Sequence, residues 1–238
     1  MLDTARLIRY AGQIGVDLSP KAAADCALYA GRLVEANQTV NLTAITDPEG
    51  MLIRHFLDSL AALPDGEIDL IDVGTGAGFP GVVLALARRD IRLTLLDSLQ
   101  KRLSFLEKLC GELELPVTLI HARAEDAGQG EWRQRFDAAT ARAVAALPTL
   151  CEYCLPLVKV GGRMVALKGP DAPREMADAE KAIALLGGGR PRATDLVLPR
   201  DPGYTGETLA RRVVSIDKIA PTPAEYPRPS AKIAKRPL

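Results

Sequence analysis

No apolar run in this 238-residue chain is longer than a strand, and its N-terminus lacks a basic flank followed by an apolar core. A membrane-spanning helix and a secretory signal are therefore not expected, which points to the cytoplasm. Histidine is scarce, with only His55 and His121. Neither has a partner at metal-ligand spacing or a Ser or Cys nucleophile nearby, so no metal centre is expected and structural roles are favoured for both over catalytic ones. The four cysteines lie among Ala and Leu residues, as in a reducing compartment. Cys151 and Cys154 have zinc-like spacing, but no second close Cys or His pair completes a site. They sit in the helical-looking run Leu-Pro-Thr-Leu-Cys-Glu-Tyr-Cys-Leu, where packing explains them.

Net charge is also absent, at zero, which taken alone argues against a nucleic-acid partner. The balance is uneven along the chain, however. Residues 1–70 carry ten acids against five Lys or Arg, whereas residues 211–238 carry seven Lys or Arg against two acids. The basic end is rich in proline (221, 223, 227, 229 and 237), so Lys232, Lys235 and Arg236 are expected on an extended, mobile tail.

What the chain does have is Leu70-Ile-Asp-Val-Gly-Thr-Gly-Ala-Gly-Phe-Pro-Gly81, a carboxylate and four glycines where an apolar strand turns into a helix. Such turns bind nucleotides in α/β proteins, because glycine permits close approach and the helix start favours an anion. Gly76, Gly78 and Gly81 satisfy the Gly-x-Gly-x-x-Gly spacing of nicotinamide and flavin enzymes, with Pro80 inside it. Asp72, Gly74, Gly76 and Gly78 match acid-x-Gly-x-Gly-x-Gly, the spacing of methyltransferases that use S-adenosylmethionine, at every position, and this is the fuller fit. Asp97 closes the next strand, where a carboxylate accepts hydrogen bonds from a ribose diol in either class.

The first 65 residues read as a helical extension, with Ser19-Pro20 as a cap and first-turn pair and Asp47-Pro48 opening a helix that carries Arg54 and His55. Strands are expected near 68–73, 92–97, 117–121, 136–141, 163–168, 194–198 and 211–217, and helices near 79–89, 99–114, 144–159 and 173–187. That alternation predicts a doubly wound, mostly parallel seven-stranded sheet. Only a loop, 199–209, separates the last two strands, which should pair antiparallel and give a reversed last strand that nicotinamide-binding folds usually lack. The expected divisions are a helical extension over 1–65, a catalytic domain over 66–220 and the tail over 221–238.

A series of segments, in order, resembles the bacterial small-subunit ribosomal RNA guanine-N7 methyltransferases, also known as the glucose-inhibited division protein B family. They are Asn41-Leu-Thr-Ala-Ile, Arg54-His-Phe-Leu-Asp-Ser-Leu60, the glycine turn, Leu96-Asp-Ser98 with Lys101-Arg102, Phe105-Leu106, Arg123-Ala-Glu125, Arg142-Ala143 and Lys168-Gly169. The resemblance implies a Rossmann-like class I methyltransferase fold. It also implies methyl transfer from S-adenosylmethionine to a guanine N7 in the decoding-region loop of 16S ribosomal RNA, with the small subunit as partner and a monomer as default. By the same resemblance Gly74 and Phe79 line the methionine end of the donor, Asp97 holds the ribose, Ala124 and Glu125 flank the adenine, and Arg142 closes the site near the reacting methyl. The chain departs from the family at Ala141, where Ser is common, and at Ala231 and Ile233, where the tail usually has Gly and Pro. Tyr226-Pro-Arg228 and Pro237-Leu238 are kept.

The chemistry agrees with what is missing. Guanine N7 carries an in-plane lone pair and no proton at neutral pH, so it attacks a sulfonium methyl without a general base. The chain has no Asn/Asp-Pro-Pro-aromatic motif for an exocyclic amine and no Pro-Cys for a pyrimidine ring. No residue is expected to act as base, and alignment of donor and acceptor carries the rate. Arg54, His55, Lys168, Arg228, Lys232, Lys235 and Arg236 are the candidate RNA contacts, and the basic C-terminal run with Arg54, Arg142 and Lys168 is expected to supply positive charge on one rim. A small-molecule methyltransferase, and less so a nicotinamide-dependent oxidoreductase, are the alternative readings.

Overall fold

A computed structural model gives the structure of residues 1–63, 66, 69–199 and 210–238. The N-terminal helices begin where side chains can take up free backbone N–H groups. Asp3 accepts from Arg6 N ahead of α1 (Thr4–Gln13), and Ser19 accepts from Ala22 N ahead of α2 (Pro20–Val40). Helix α2 stops at Asn41, whose φ of 52° is left-handed. Asp47 then caps Gly50 N at α3 (Pro48–Gly50), which continues as a π-helical segment, Met51–Leu57, and closes with α4 (Asp58–Leu60). Such wide turns recur at functional sites, and this one carries Arg54 and His55.

The remaining elements alternate: β1 (Asp69–Val73), α5 (Gly81–Ala87), β2 (Arg92–Asp97), α6 (Gln100–Glu112), β3 (Val117–His121), α7 (Ala124–Gln129), β4 (Phe136–Arg142), α8 (Leu147–Cys154), β5 (Val158–Lys168), α9 (Ala172–Leu185), β6 (Arg192–Val197), β7 (Ala210–Asp217) and α10 (Ser230–Lys235). The sheet has seven strands in the order β3-β2-β1-β4-β5-β7-β6, and β1 to β5 pair in parallel. Strand β7 runs antiparallel to both neighbours, so the reversed last strand is inserted between β5 and β6.

Successive residues of the central strands supply opposite layers, since side chains alternate along a strand. Leu70, Leu95 and Ala138 join one core with α1, α2, α5 and α6, while Ile71, Leu96 and Ala139 join the other with α8 and α9. The helical extension is thus continuous with one face of the sheet and shares its core.

Several expectations need correction. The helix expected over 144–159 is shorter, because Pro156 lies in a 3-10 turn (Leu155–Leu157) and β5 starts at Val158 rather than 163. Helices α7 and α10 were not expected. The start of β1 at 68 and the loop residues 200–209 lie outside the described residues.

The tail is not an extended, mobile segment. Its prolines lack N–H groups and cannot join a ladder, so side chains of the domain take its carbonyls. Arg133 donates to the carbonyl oxygens of Thr222, Pro223 and Tyr226, and Gln129 to that of Pro227. Lys218 Nζ is buried and donates to Leu186 O and Thr222 Oγ1, and desolvation holds its pKa down to about 8. Ile233 of α10 is then fully buried.

Candidate active site and its relatives

The glycine turn is built around two carboxylates. Asp72 is fully buried, and its Oδ2 accepts from Thr75 Oγ1 at 2.7 Å and Gly81 N at 3.0 Å, closing the loop onto the start of α5. Burial raises its pKa to about 6. Asp97 accepts Gly76 N on Oδ2 at 2.9 Å and Leu99 N on Oδ1 at 2.9 Å, and Arg102 pairs with it at 3.2 Å. Gly78 sits at φ 105°, and a Cβ there would meet Tyr29 Oη at 2.7 Å and Leu106 Cδ2 at 2.8 Å. The expected donor residues therefore separate into two groups. Gly74 and Asp97 line an open cleft, while Asp72 and Gly78 lie beneath the turn and shape it.

That cleft, about 330 Å³, runs along the C-terminal ends of β1, β2 and β4 and is also lined by Arg102, Ala124, Glu125, Val144 and Tyr153. Glu125 is 5 % exposed, and its Oε1 has no hydrogen-bond partner among the described residues. A buried acceptor left unpaired is costly, and it fits a ligand that brings a donor such as an exocyclic amine. Sequence reasoning missed Arg102 and Tyr153 as lining residues. Arg102 was visible within a signature segment, whereas Tyr153 reaches the cleft only through the packing of α8.

A second depression, about 500 Å³, adjoins the first and shares Ala143 with it. Ala143 has φ 56°, a strained left-handed conformation at the junction of the two spaces. Arg54, His55, Asp58, Arg142, Lys168, Glu175 and Arg211 line this depression. Arg142, which the resemblance sets near the reacting methyl, lines this depression and not the cleft. Its Nη1 donates to Arg54 O at 2.8 Å and to Asp58 Oδ2 at 3.2 Å, and the guanidinium stands 5.0 Å from the centre of the Phe79 ring. Asp58, 3 % exposed, also accepts Arg211 Nε on Oδ1 at 2.9 Å, so one carboxylate joins β4, β7 and the helical extension. Neither Asp58 nor Arg211 was singled out from sequence.

Phe79 is buried between two rings, stacked on Tyr29 at 4.9 Å and on His55 at 4.5 Å. It therefore supports this floor and does not line the open cleft. His55 is 7 % exposed, with Nε2 2.8 Å from Thr43 Oγ1 and Nδ1 3.3 Å from Arg142 Nη2. An arginine only donates, so Nδ1 accepts and Nε2 carries the proton. Desolvation, reinforced by the Arg142 charge, lowers the imidazole pKa to about 4.

The unfolded imidazole titrates near 6.5 and the folded one near 4, so the unfolded chain takes up a proton first as the pH falls. The stabilisation from neutral His55 is therefore present above the unfolded value and lost as the pH drops through this window. Urea denaturation of His55→Gln should show a shallower fall in stability between those two values than the parent, and parallel curves would refute the assignment. Asp72, with its raised pKa, acts in the opposite direction in both proteins and cancels in the comparison.

The other expected RNA contacts divide as well. Arg54, Lys232, Lys235 and Arg236 are exposed. Lys168 has a side chain only 9 % exposed, with Nζ donating to Ala145 O and Glu175 Oε2, so it is not a solvated rim lysine. Arg228 is spent on Glu152, a carboxylate of 0 % exposure, through Nε at 2.8 Å and Nη2 at 2.7 Å. It anchors the tail and does not offer a free cation. Cys151 and Cys154 are both fully buried in the α8 core, and desolvation raises the Cys151 thiol to about 12. Among the described residues no cluster of three or more His, Cys, Asp or Glu is placed to hold a metal ion.

A family model described as rRNA small subunit methyltransferase G matches residues 23–197. The chain belongs to that family. A relative of this methyltransferase G family from Alkaliphilus oremlandii is 48 % identical over 216 residues, covering 88 % of each chain. One from Acetivibrio thermocellus is 41 % identical over 237 residues, covering 98 % of this chain and 95 % of the relative. Both are called ribosomal RNA small subunit methyltransferase G. Among solved structures, a SAM-dependent O-methyltransferase from Thermotoga maritima shares the fold with a TM-score of 0.52 at 15 % identity, over 80 % of this chain and 72 % of that one.

Proposed function

We propose that the cleft holds S-adenosylmethionine and the adjoining depression holds the methyl acceptor, a guanine of 16S ribosomal RNA methylated at N7. The observation that carries this reading is the shared wall at Ala143, where the cleft and the depression meet at the end of β4. Membership of the methyltransferase G family supports the donor and the ribosomal RNA substrate. In this reading Asp97 holds the ribose diol and Ala124 and Glu125 flank the adenine; that all three line the cleft and that Glu125 Oε1 is free to accept an amine support it. When bound, the cofactor supplies an electrophilic sulfonium methyl. The protein's part is to orient the two partners and exclude water, since N7 needs no base. Arg142, fixed by Asp58, Arg54 O and the Phe79 ring, is the residue that positions the acceptor. The small subunit in the cytoplasm is the proposed substrate particle, with the enzyme acting as a monomer. No helix among the described residues is long and apolar enough to cross a membrane.

The test is transfer of labelled methyl from S-adenosylmethionine to small subunits and to naked 16S RNA, both lacking the modification, followed by mapping. Label at one guanine N7 supports the reading; absence of label on both substrates with donor bound overturns it.

Arg54, Lys232, Lys235 and Arg236 bind phosphates in this scheme, Lys232 and Lys235 from the exposed side of α10 and Arg236 from just beyond its end. Replacing those three with alanine leaves Ile233 and Arg228 to hold the helix. The salt dependence of RNA binding should then flatten by about one unit of log–log slope for each phosphate no longer neutralised. A filter-binding series with an unchanged slope would remove α10 from the interface.

A further inference from the structure

Lys168, the last residue of β5, gives one proton to Ala145 O at 2.8 Å and one to Glu175 Oε2 at 2.7 Å. An ammonium has three donors, so one remains. Glu175, near the start of α9, also uses Oε2 to accept Leu147 N at 2.7 Å at the start of α8, and no donor among the described residues reaches its Oε1. A spare N–H and a spare carboxylate oxygen therefore stand side by side on two residues that line the second depression. Both side chains are braced by main chain, Lys168 by a carbonyl and Glu175 by an amide, which limits the entropy lost on engaging a ligand.

We propose that Lys168 and Glu175 are specificity-determining residues that read the base to be methylated as guanine, an inference that rests on the depression being the acceptor site. Guanine presents an acceptor, O6, beside a donor, N1–H. Lys168 meets the first and Glu175 the second. An adenine-type edge presents an amine donor beside a ring-nitrogen acceptor, so it opposes an ammonium to an amine and a carboxylate to a lone pair. A phosphate would gain less here, because Glu175 already neutralises Lys168. The arrangement suits a base edge and leaves N7 unengaged for the methyl.

The experiment is single-turnover methylation of reconstituted small subunits carrying either guanosine or 2,6-diaminopurine riboside at the target position. The second base keeps N7 and the 2-amine but reverses the O6/N1–H edge. The parent enzyme should favour guanosine, and Glu175→Gln should slow that reaction about 5–150-fold, the range for one bidentate base contact. The guanosine preference should fall by a similar factor, while affinity for S-adenosylhomocysteine stays within about threefold. Lys168→Met should reduce the preference in the same way, which keeps the test decisive if Glu175→Gln loosens α8. Equal slowing of both bases in both variants is what a purely structural role gives, and it would overturn the proposal. A parent enzyme that labels no guanine N7 brings down the functional reading, and this proposal with it.

Discussion

Arg228→Ala is expected to destabilise the protein by about 3 kcal/mol, near the lower end of the 3–5 kcal/mol typical when one partner of a buried ion pair is removed. The reason lies with the residue left behind. Glu152 is fully buried in α8 and receives Nε and Nη2 of Arg228, together with the Arg228 backbone N–H at 2.8 Å. The backbone donor survives the substitution and water can enter from the tail side, so the lower figure is appropriate. A melting temperature roughly 6–12 °C lower would follow for a chain of this size. Adding Glu152→Leu removes the stranded charge and should recover most of the loss. Urea denaturation of the single and double variants reads both effects. A loss below about 1 kcal/mol for the single variant would show that Glu152 is solvated and that the tail is held mainly by Arg133.

Arg142→Ala is expected to lower kcat/KM for small subunits by about 100-fold, the scale on which a misplacement of about 1 Å is felt in an alignment-driven reaction. The loss should fall on kcat, with affinity for S-adenosylhomocysteine nearly unchanged, because Arg142 lines the depression proposed for the acceptor and not the cleft proposed for the donor. The substitution leaves Asp58 paired with Arg211 alone and frees Nδ1 of His55. With the lowering influence of the Arg142 charge gone, the His55 pKa should rise, and NMR titration of the imidazole reads that shift. A loss confined to KM for RNA would make Arg142 an RNA contact without a part in alignment. A large loss of S-adenosylhomocysteine affinity would return it to the donor side.

Much of the fold was legible in the chain because it rests on local or short-range signals. Ser19-Pro20 and Asp47-Pro48 start helices through their own side chains and ring geometry, and both do so in the structure. The alternation of apolar strands with helices fixes a parallel core, and the short 199–209 connection leaves an antiparallel pairing as the economical solution for β6 and β7. The glycine turn is legible for the same reason. Asp72, Thr75 and Gly81 close it within nine residues.

The sequence by itself determined the N-terminal helices, the doubly wound sheet with its reversed strand, the glycine turn, and a segment order that identified the family. Tertiary structure alone decided which charged residues are free to act. Arg228, Lys168 and Arg142 look alike as basic residues in a sequence. The first is consumed by Glu152, the second is half consumed by Glu175, and the third is fixed between Asp58 and Phe79, partners 76, 7 and 84 residues away for the ion pairs. The tail was misread for the same reason, since its prolines do forbid a ladder but say nothing of the Arg133 donors that capture its carbonyls. Local propensity depends on neighbours a few residues apart, whereas the use of a charge depends on whichever carboxylate the finished core brings to it and on how little water remains there to compete.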